Sequence, residues 1–300
     1  ADVVVVELRQ SKYVGRGECV PYARYGESVE SVLAELAPLA VKIENGLTRK
    51  QMQSLLPAGA ARNALDCAYW DIECKKHNQR IWQRLPIVEP KPLITAFTLS
   101  LDTPERMKQA AIENAHRPLL KLKLAGEGDV ERVAAVREGS PDARIIVDAN
   151  EGWNEELYLE MVPELVKLGV EMIEQPLPAN NDSALDHLPR PITLCADESC
   201  HDRSSLPQII GRYDMINIKM DKTGGLTEAL ALKEEAEKAG LQIMVGCMLA
   251  TSLGMAPAFM VAQGVQVVDL DGPLLLAEDR KCPIPFNDSE MNIYQAALWG

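Results

Sequence analysis

Between residues 93 and 271, eight short apolar runs each end on a polar or small residue, and no other feature of the chain constrains its fold as strongly. The marks are Thr98, Lys123, Asp148, Glu174, Asp197, Lys219, Cys247 and the pair Asp269 and Asp271, spaced 22 to 28 residues apart. One strand, one helix and two loops take about that length, since a (β/α)₈ barrel of ~250 residues uses roughly 31 per unit. Each mark is then the C-terminal end of a parallel strand, and in such barrels all those ends meet at the face that carries the chemistry. Helices are expected at about 103–116, 129–139, 155–168, 203–210, 225–239 and 252–263. Thr103 followed by Pro104 reads as a helix start. Gly224-Gly225 lacks the G-x-x-x-x-G-K-[ST] pattern and reads as a tight turn rather than a phosphate loop.

Residues 1–92 do not alternate. VVVVEL and VGRGECVPY read as strands. Helical spacing runs from Ser28 to Leu39 and again over residues 60–76, where Ala64, Leu65, Ala68, Tyr69 and Ile72 share one side. Strands followed by helices predict a small α+β capping domain over 1–92, with the barrel over 93–272. Pro86, Pro90 and Pro92 mark the boundary. The tail 273–300 is expected to fold back on the first domain. A chain that opens on a strand lacks that strand's usual antiparallel partner, so a short N-terminal segment is expected to be missing.

A net charge of −13 argues against nucleic acid. No apolar run reaches the ~18 residues of a membrane span, and no signal peptide is visible. Seven cysteines without C-x-x-C pairing fit a reducing cytoplasm better than disulfides or structural zinc.

Asp148, Glu174 and Asp197 end three consecutive strands, at positions where a barrel interior normally holds Val, Ile or Leu. Three acids in one mouth repel unless positive charge lies between them. Singly, each could cap the next helix. Together, with no His or Cys among them, they favour a hard cation such as Mg²⁺. In Lys121-Leu122-Lys123-Leu124 the strand period puts both lysines on one side and both leucines on the other. Lys219 ends the sixth run, four units from Lys123 in an eight-unit ring. A buried lysine is costly unless paired. Lys121 together with a divalent metal is expected to push Lys123 toward the neutral form of a general base.

Bases on units two and six, with ligands on three, four and five, match a scheme used in the enolase superfamily, where a Lys or His base works beside Mg²⁺ that stabilises an ene-diolate. The chain resembles that superfamily's muconate-lactonizing subgroup, and within it the dipeptide epimerases that act on L-Ala-D/L-Glu. The matching residues are Lys121-x-Lys123, Asp148-Ala-Asn, Glu174-Gln-Pro, Ala-Asp197-Glu-Ser, Asn-Ile-Lys219 with Lys-Thr-Gly-Gly after it, Gly246-Cys247-Met248-Leu249 and Asp269-Leu-Asp271. ARNALDCAYWDI at 61–72 resembles the subgroup's capping helix. The resemblance implies a modified (β/α)₈ barrel with an α+β cap, Mg²⁺ on Asp148, Glu174 and Asp197, and proton transfer by Lys123 and Lys219. The implied reaction inverts the α-carbon of a dipeptide's C-terminal residue through a metal-stabilised enediolate.

Asp269 and Asp271 face one side of the eighth strand and resemble the pair that binds the substrate's ammonium. Lys121 and Thr98 are placed with the substrate contacts and Cys247 with the pocket wall. Arg24, on a lid loop, either meets a distal substrate carboxylate or is a plain surface arginine. The four histidines lie off the strand ends, against a histidine base. The alternatives are an o-succinylbenzoate synthase or N-acylamino-acid racemase, a muconate cycloisomerase-type lyase, or a retired barrel that only binds. The last predicts a lost base or ligand, and none is lost. A small-molecule dipeptide is the expected partner, within murein-peptide recycling if the source is bacterial, and a homo-oligomer is left open.

Overall fold

The structure, a computed structural model, describes residues 2–300 apart from 86 and 88, so Ala1 and the boundary residue Pro86 lie outside the described residues. Eight parallel strands follow one another around the barrel: Phe97–Leu99, Leu119–Lys123, Arg144–Asp148, Val170–Glu174, Thr193–Ala196, Met215–Lys219, Gln242–Gly246 and Val267–Asp269. Ala96 N donates to Val268 O at 2.8 Å, which joins the first unit to the eighth. Helices Pro104–Glu113, Asp129–Gly139, Glu155–Lys167, Leu226–Lys238 and Ser252–Val261 lie close to the expected spans. In unit five a 3₁₀ turn, Arg203–Ser205, leads directly into the short helix Leu206–Ile209. Thr103 caps the first of these helices and Pro104 opens it, where a missing N–H costs nothing.

One ring of side chains plugs the barrel. Ala96, Leu119, Ile146, Met172, Cys195, Met215, Met244 and Val267, one from each unit, form a closed apolar cluster. Strand side chains alternate between faces, so the residues two positions on are the next inward layer. They are Thr98, Lys121, Asp148, Glu174, Asp197, Asn217, Gly246 and Asp269. An apolar floor thus lies directly beneath a polar layer. Leu120 and Leu122 point the other way, into the core shared with the helices.

Strands Val4–Gln10 and Tyr13–Cys19 form an antiparallel hairpin against the 18-residue helix Ala60–His77. Gly15 and Gly17 explain how closely they pack. A Cβ at Gly15 would lie 2.3 Å from Ala68 O, and one at Gly17 would lie 2.0 Å from Ala64 O. The helix is buried on more than the predicted side, since Asn63, Asp66, Cys67, Trp70 and Cys74 are also enclosed. They face the barrel and the tail. Arg62 donates to Thr223 O and Gly224 O, and Thr227 donates to Asp66 through both N and Oγ1. The tail first pairs with Leu93–Ile94 through Glu290–Met291. It then reaches the capping helix, where Trp299 Nε1 donates to Cys67 O and Gly300 N to Asp71 Oδ1.

Candidate active site

A cavity of about 670 Å³ opens where the barrel mouth meets the loop after the hairpin strand Tyr13–Cys19. Thr98, Lys121, Lys123, Asp197, Lys219, Cys247, Asp269 and Asp271 line it from the barrel side, and Tyr22, Ala23 and Tyr25 from the lid loop. Among the described residues, no histidine lines it.

Asp148, Glu174 and Asp197 are fully or almost fully buried. One oxygen from each lies within 4.8 Å of the others, a spacing that fits a single ion. Four ammonium groups surround them. Lys121 Nζ lies 2.7 Å from Glu174 Oε2, 2.7 Å from Asp269 Oδ2 and 3.3 Å from Asp148 Oδ2. Lys123 Nζ lies 2.6 Å from Asp148 Oδ2. Lys219 and Lys222 lie 2.5 Å from the two oxygens of Asp197.

Burial opposes charge on Asp148, but Lys121 and Lys123 outweigh it and hold that carboxyl below its ordinary range. Lys219 and Lys222 do the same, more strongly, for Asp197. Glu174 goes the other way: burial, and then the Asp148 charge, push it up to about 7. Its Oε2, although near Lys121, has no hydrogen bond of proper geometry. Glu174 Oε2 is thus a buried carboxylate oxygen open to a ligand. The donor set fits a hard divalent cation.

Burial acts to lower Lys219, but Asp197 and Glu174 outweigh it and hold Lys219 well above its ordinary range. Carboxylates and lysines are each other's counter-ions in this layer. Lys121 is held up in the same way, chiefly by Asp269 against its burial.

On the eighth strand, Asp269 Oδ2 is occupied by Lys121 while Oδ1 is buried without a partner. Asp271 Oδ2 accepts from Thr98 N at 2.7 Å, and burial followed by the Asp269 charge pushes Asp271 up to about 6. Thr98 thus meets the site through its backbone. Cys247 is half-buried on the wall; burial, with Asp269 next, raises its thiol. Arg24, read either as a contact for a distal substrate carboxylate or as a surface arginine, is paired with Glu151. It lies outside the cavity wall, with Nε and Nη2 donating to Glu151 at 3.0 and 2.9 Å.

Four residues of the site were given no role from sequence. Lys222 holds Asp197. Asn217 donates to Glu174 Oε1 at 2.6 Å, and a Cβ at Gly246 would lie 2.6 Å from the Asn217 side chain. Gln175 accepts from Asp197 N and Ser199 N, so it ties the loop after strand four to the loop after strand five. Glu198 lines the cavity, and burial, then the charge of Asp197, raises it to about 7. Asn217, Gln175, Glu198 and Lys222 sit inside the quoted motifs, which is the signal that could have flagged them. Asn150, Glu151 and Gln175 all have positive φ, a left-handed strain that collects in functional loops.

An acid triad flanked by lysines on opposite strands thus lies in the mouth of a capped (β/α)₈ barrel. Residues 1–85 match the mandelate racemase / muconate lactonizing enzyme N-terminal domain and residues 104–288 the enolase C-terminal domain-like family. The chain belongs to the mandelate racemase / muconate lactonizing enzyme family of the enolase superfamily, and it is an isomerase. It is 48% identical to the L-Ala-D/L-Glu epimerase of Escherichia coli K12, over 98% of this chain and 92% of that protein. It is 43% identical to an N-acetyl-D-glutamate racemase from Pseudoalteromonas, over 99% and 95%. Among solved structures, an enolase family member from Agrobacterium tumefaciens with homology to dipeptide epimerases, holding sodium and L-Ala-L-Glu, superimposes with a TM-score of 0.98 at 50% identity and covers 100% of this chain and 92% of its own. A Methylococcus capsulatus dipeptide epimerase with Mg and L-Arg-D-Lys gives 0.87 at 28%, over 97% and 89%.

Proposed function

We propose that this isomerase is a Mg²⁺-dependent dipeptide epimerase that inverts the α-carbon of the C-terminal residue, with L-Ala-D/L-Glu as its substrate type. The observation that carries the reading is the placement of Lys123 and Lys219 on units two and six, in one cavity, on either side of the buried triad. Asp148, Glu174 and Asp197 would hold the cation, which would supply positive charge to offset the extra negative charge that loss of the α-proton places on the substrate's carboxylate oxygens. Lys123 and Lys219 then each take or return the α-proton from one face, so passage from one to the other inverts the centre. Lys121 fixes Asp148, Glu174 and Asp269 in place. The unpartnered Asp269 Oδ1 and the Asp271 carboxylate receive the dipeptide's ammonium. Thr98 orients Asp271, and Cys247 shapes the wall. Arg24 meets a substrate side-chain carboxylate only by leaving Glu151. Seven free cysteines, five of them buried, support a reducing, cytoplasmic setting.

A second reading, racemisation of an N-acylated amino acid, draws support from the Pseudoalteromonas relative and from Asp269 Oδ2 being committed to Lys121. Parallel assays of L-Ala-L-Glu and N-acetyl-L-Glu in D₂O, with Mg²⁺ or with EDTA, separate the two. Deuterium at the α-carbon of L-Ala-L-Glu alone, lost with EDTA, is the expected outcome. Faster exchange of N-acetyl-L-Glu would favour the second reading.

A further inference from the structure

Asp197 carries one ammonium group at 2.5 Å on each of its two oxygens. The two lysines are not equivalent. Lys222 Nζ also donates to Asp197 O at 2.5 Å and to Asn217 O at 3.1 Å. An ammonium has three donors, and here all three meet acceptors, two of them backbone carbonyls that cannot swing away. The Lys222 side chain is fully buried and absent from the cavity wall. Lys219 lines the cavity, and its other carboxylate neighbour, Glu174 Oε1, is 4.0 Å away. Lys222 is held, whereas Lys219 can leave.

The local chain explains the difference. The turn Met220–Thr223 follows the sixth strand directly and ends on Gly224, at φ +77. Arg62 of the capping helix grips Thr223 O at 2.7 Å. That grip fixes the turn, and with it the position of Lys222 beside Asp197.

We propose that Lys222 is a positioning residue that keeps Asp197 Oδ1 closed, so that a cation entering the triad takes Oδ2 and thereby frees Lys219 for the substrate. The inference rests on the two-lysine epimerase reading and adds to it a link between metal entry and the release of one base. Lys123 pairs with Asp148, which Lys222 does not touch. Loss of Lys222 is therefore felt on one face of the α-carbon. Without it either oxygen of Asp197 is open to the cation, and Lys219 stays paired with the other.

The test is Lys222→Met in the full chain, with Mn²⁺ as the metal probe. Mn²⁺ affinity, read by electron paramagnetic resonance, is expected to change less than about fivefold, because all three carboxylates remain. Solvent deuterium exchange is then measured separately on L-Ala-L-Glu and L-Ala-D-Glu. Exchange through Lys219, assigned with a Lys123→Ala variant, is expected to fall about tenfold or more relative to exchange through Lys123, as for a lost charge-assisted contact. Parallel loss on both epimers, or a larger loss of Mn²⁺ affinity, overturns the proposal and leaves Lys222 a structural residue. If the variant does not fold, the crystal structure of the unmutated protein with Mn²⁺ decides. Lys222 still on Oδ1, with Lys219 gone from Oδ2, supports the proposal, and a cation on both oxygens refutes it. A protein that exchanges no dipeptide would sink the epimerase reading, while the Mn²⁺ structure would still judge Lys222.

Discussion

The barrel mouth and the seam between capping helix and barrel both bury carboxylates, and they satisfy them in opposite ways. At the seam the partners are mostly fixed and neutral. Asp66 accepts from Thr227 N, Thr227 Oγ1 and Gln53 Nε2, and Asp221 accepts from Val20 N and Asn63 Nδ2. In the mouth the partners are ammonium groups on long side chains, and Glu174 Oε2, Asp269 Oδ1, Asn217 Oδ1 and Glu198 Oε2 have no hydrogen-bond partner. Those are four of the six such buried side-chain atoms among the described residues. A buried polar atom left unpaired costs about 1–3 kcal/mol. The seam avoids that cost, and the mouth retains it where a cation and a substrate would bind. Saturated carboxylates hold the cap on the barrel, and unsaturated ones wait for ligands.

The contrast can be broken at four points. The largest effect is expected in the triad. Asp197→Asn, or EDTA treatment of the unmutated protein, should cost several kcal/mol of transition-state stabilisation, roughly 10³-fold in kcat. Asp197→Asn should also lower the melting temperature, because it leaves the buried Lys219 and Lys222 without their carboxylate. Full turnover of chelated protein would remove the metal from the account.

Next comes Asp271→Asn, which removes a charge-assisted contact worth ~1.5–3 kcal/mol, so kcat/KM for the free dipeptide should drop roughly 10- to 150-fold. N-acetylation of the substrate should cost about as much, and the two losses should not add, because they remove one contact. Equal rates on free and acetylated substrates would move the weight to the N-acyl reading.

The seam makes the third test, through pH. Burial is the main reason Asp221 is raised to about 7. A carboxyl raised on folding adds stability that is complete below its unfolded value near 3.8 and is lost as pH climbs through about 7. Asp221→Asn deletes that dependence. Denaturant melts should therefore show the unmutated protein gaining about 2 kcal/mol on the variant between pH 8 and pH 5. A constant difference across that range would place the titration elsewhere.

The smallest effect belongs to the lid. Arg24 is half exposed in its pair with Glu151, and exposed pairs contribute ~0–1 kcal/mol. Arg24→Ala should leave the melting temperature almost unmoved but raise KM for a Glu-containing dipeptide more than for one with an apolar second residue. A uniform change in KM would make it a surface arginine.

How much of this was legible in sequence follows the same division. Strand period and the spacing of strand ends are local signals, and they placed Asp148, Glu174, Asp197, Lys121, Lys123 and Lys219 in one mouth. Cys247 sits one residue off the inward register of Gly246 and still reaches the wall, because the loop turns there. Contacts made by distant segments left no periodic trace. Lys222 is defined by a carbonyl 25 residues upstream, and Arg24 by a partner 127 residues downstream. The capping helix read as one-sided because Asn63, Asp66 and Cys67 do not look like core residues. Hairpin, barrel and tail together enclose it, and its polar face becomes the seam.

The central claim is that Lys123 and Lys219 work from opposite faces, and the most direct test follows each epimer of L-Ala-Glu in D₂O with Lys123→Ala and with Lys219→Ala. Each variant is predicted to lose inversion by roughly 10²–10⁴-fold, the usual contribution of a positioned acid or base. Each should still exchange the α-proton of one epimer only, and the two variants should differ in which one. Epimerisation at the full rate by either variant, or exchange of the same epimer by both, would contradict the account.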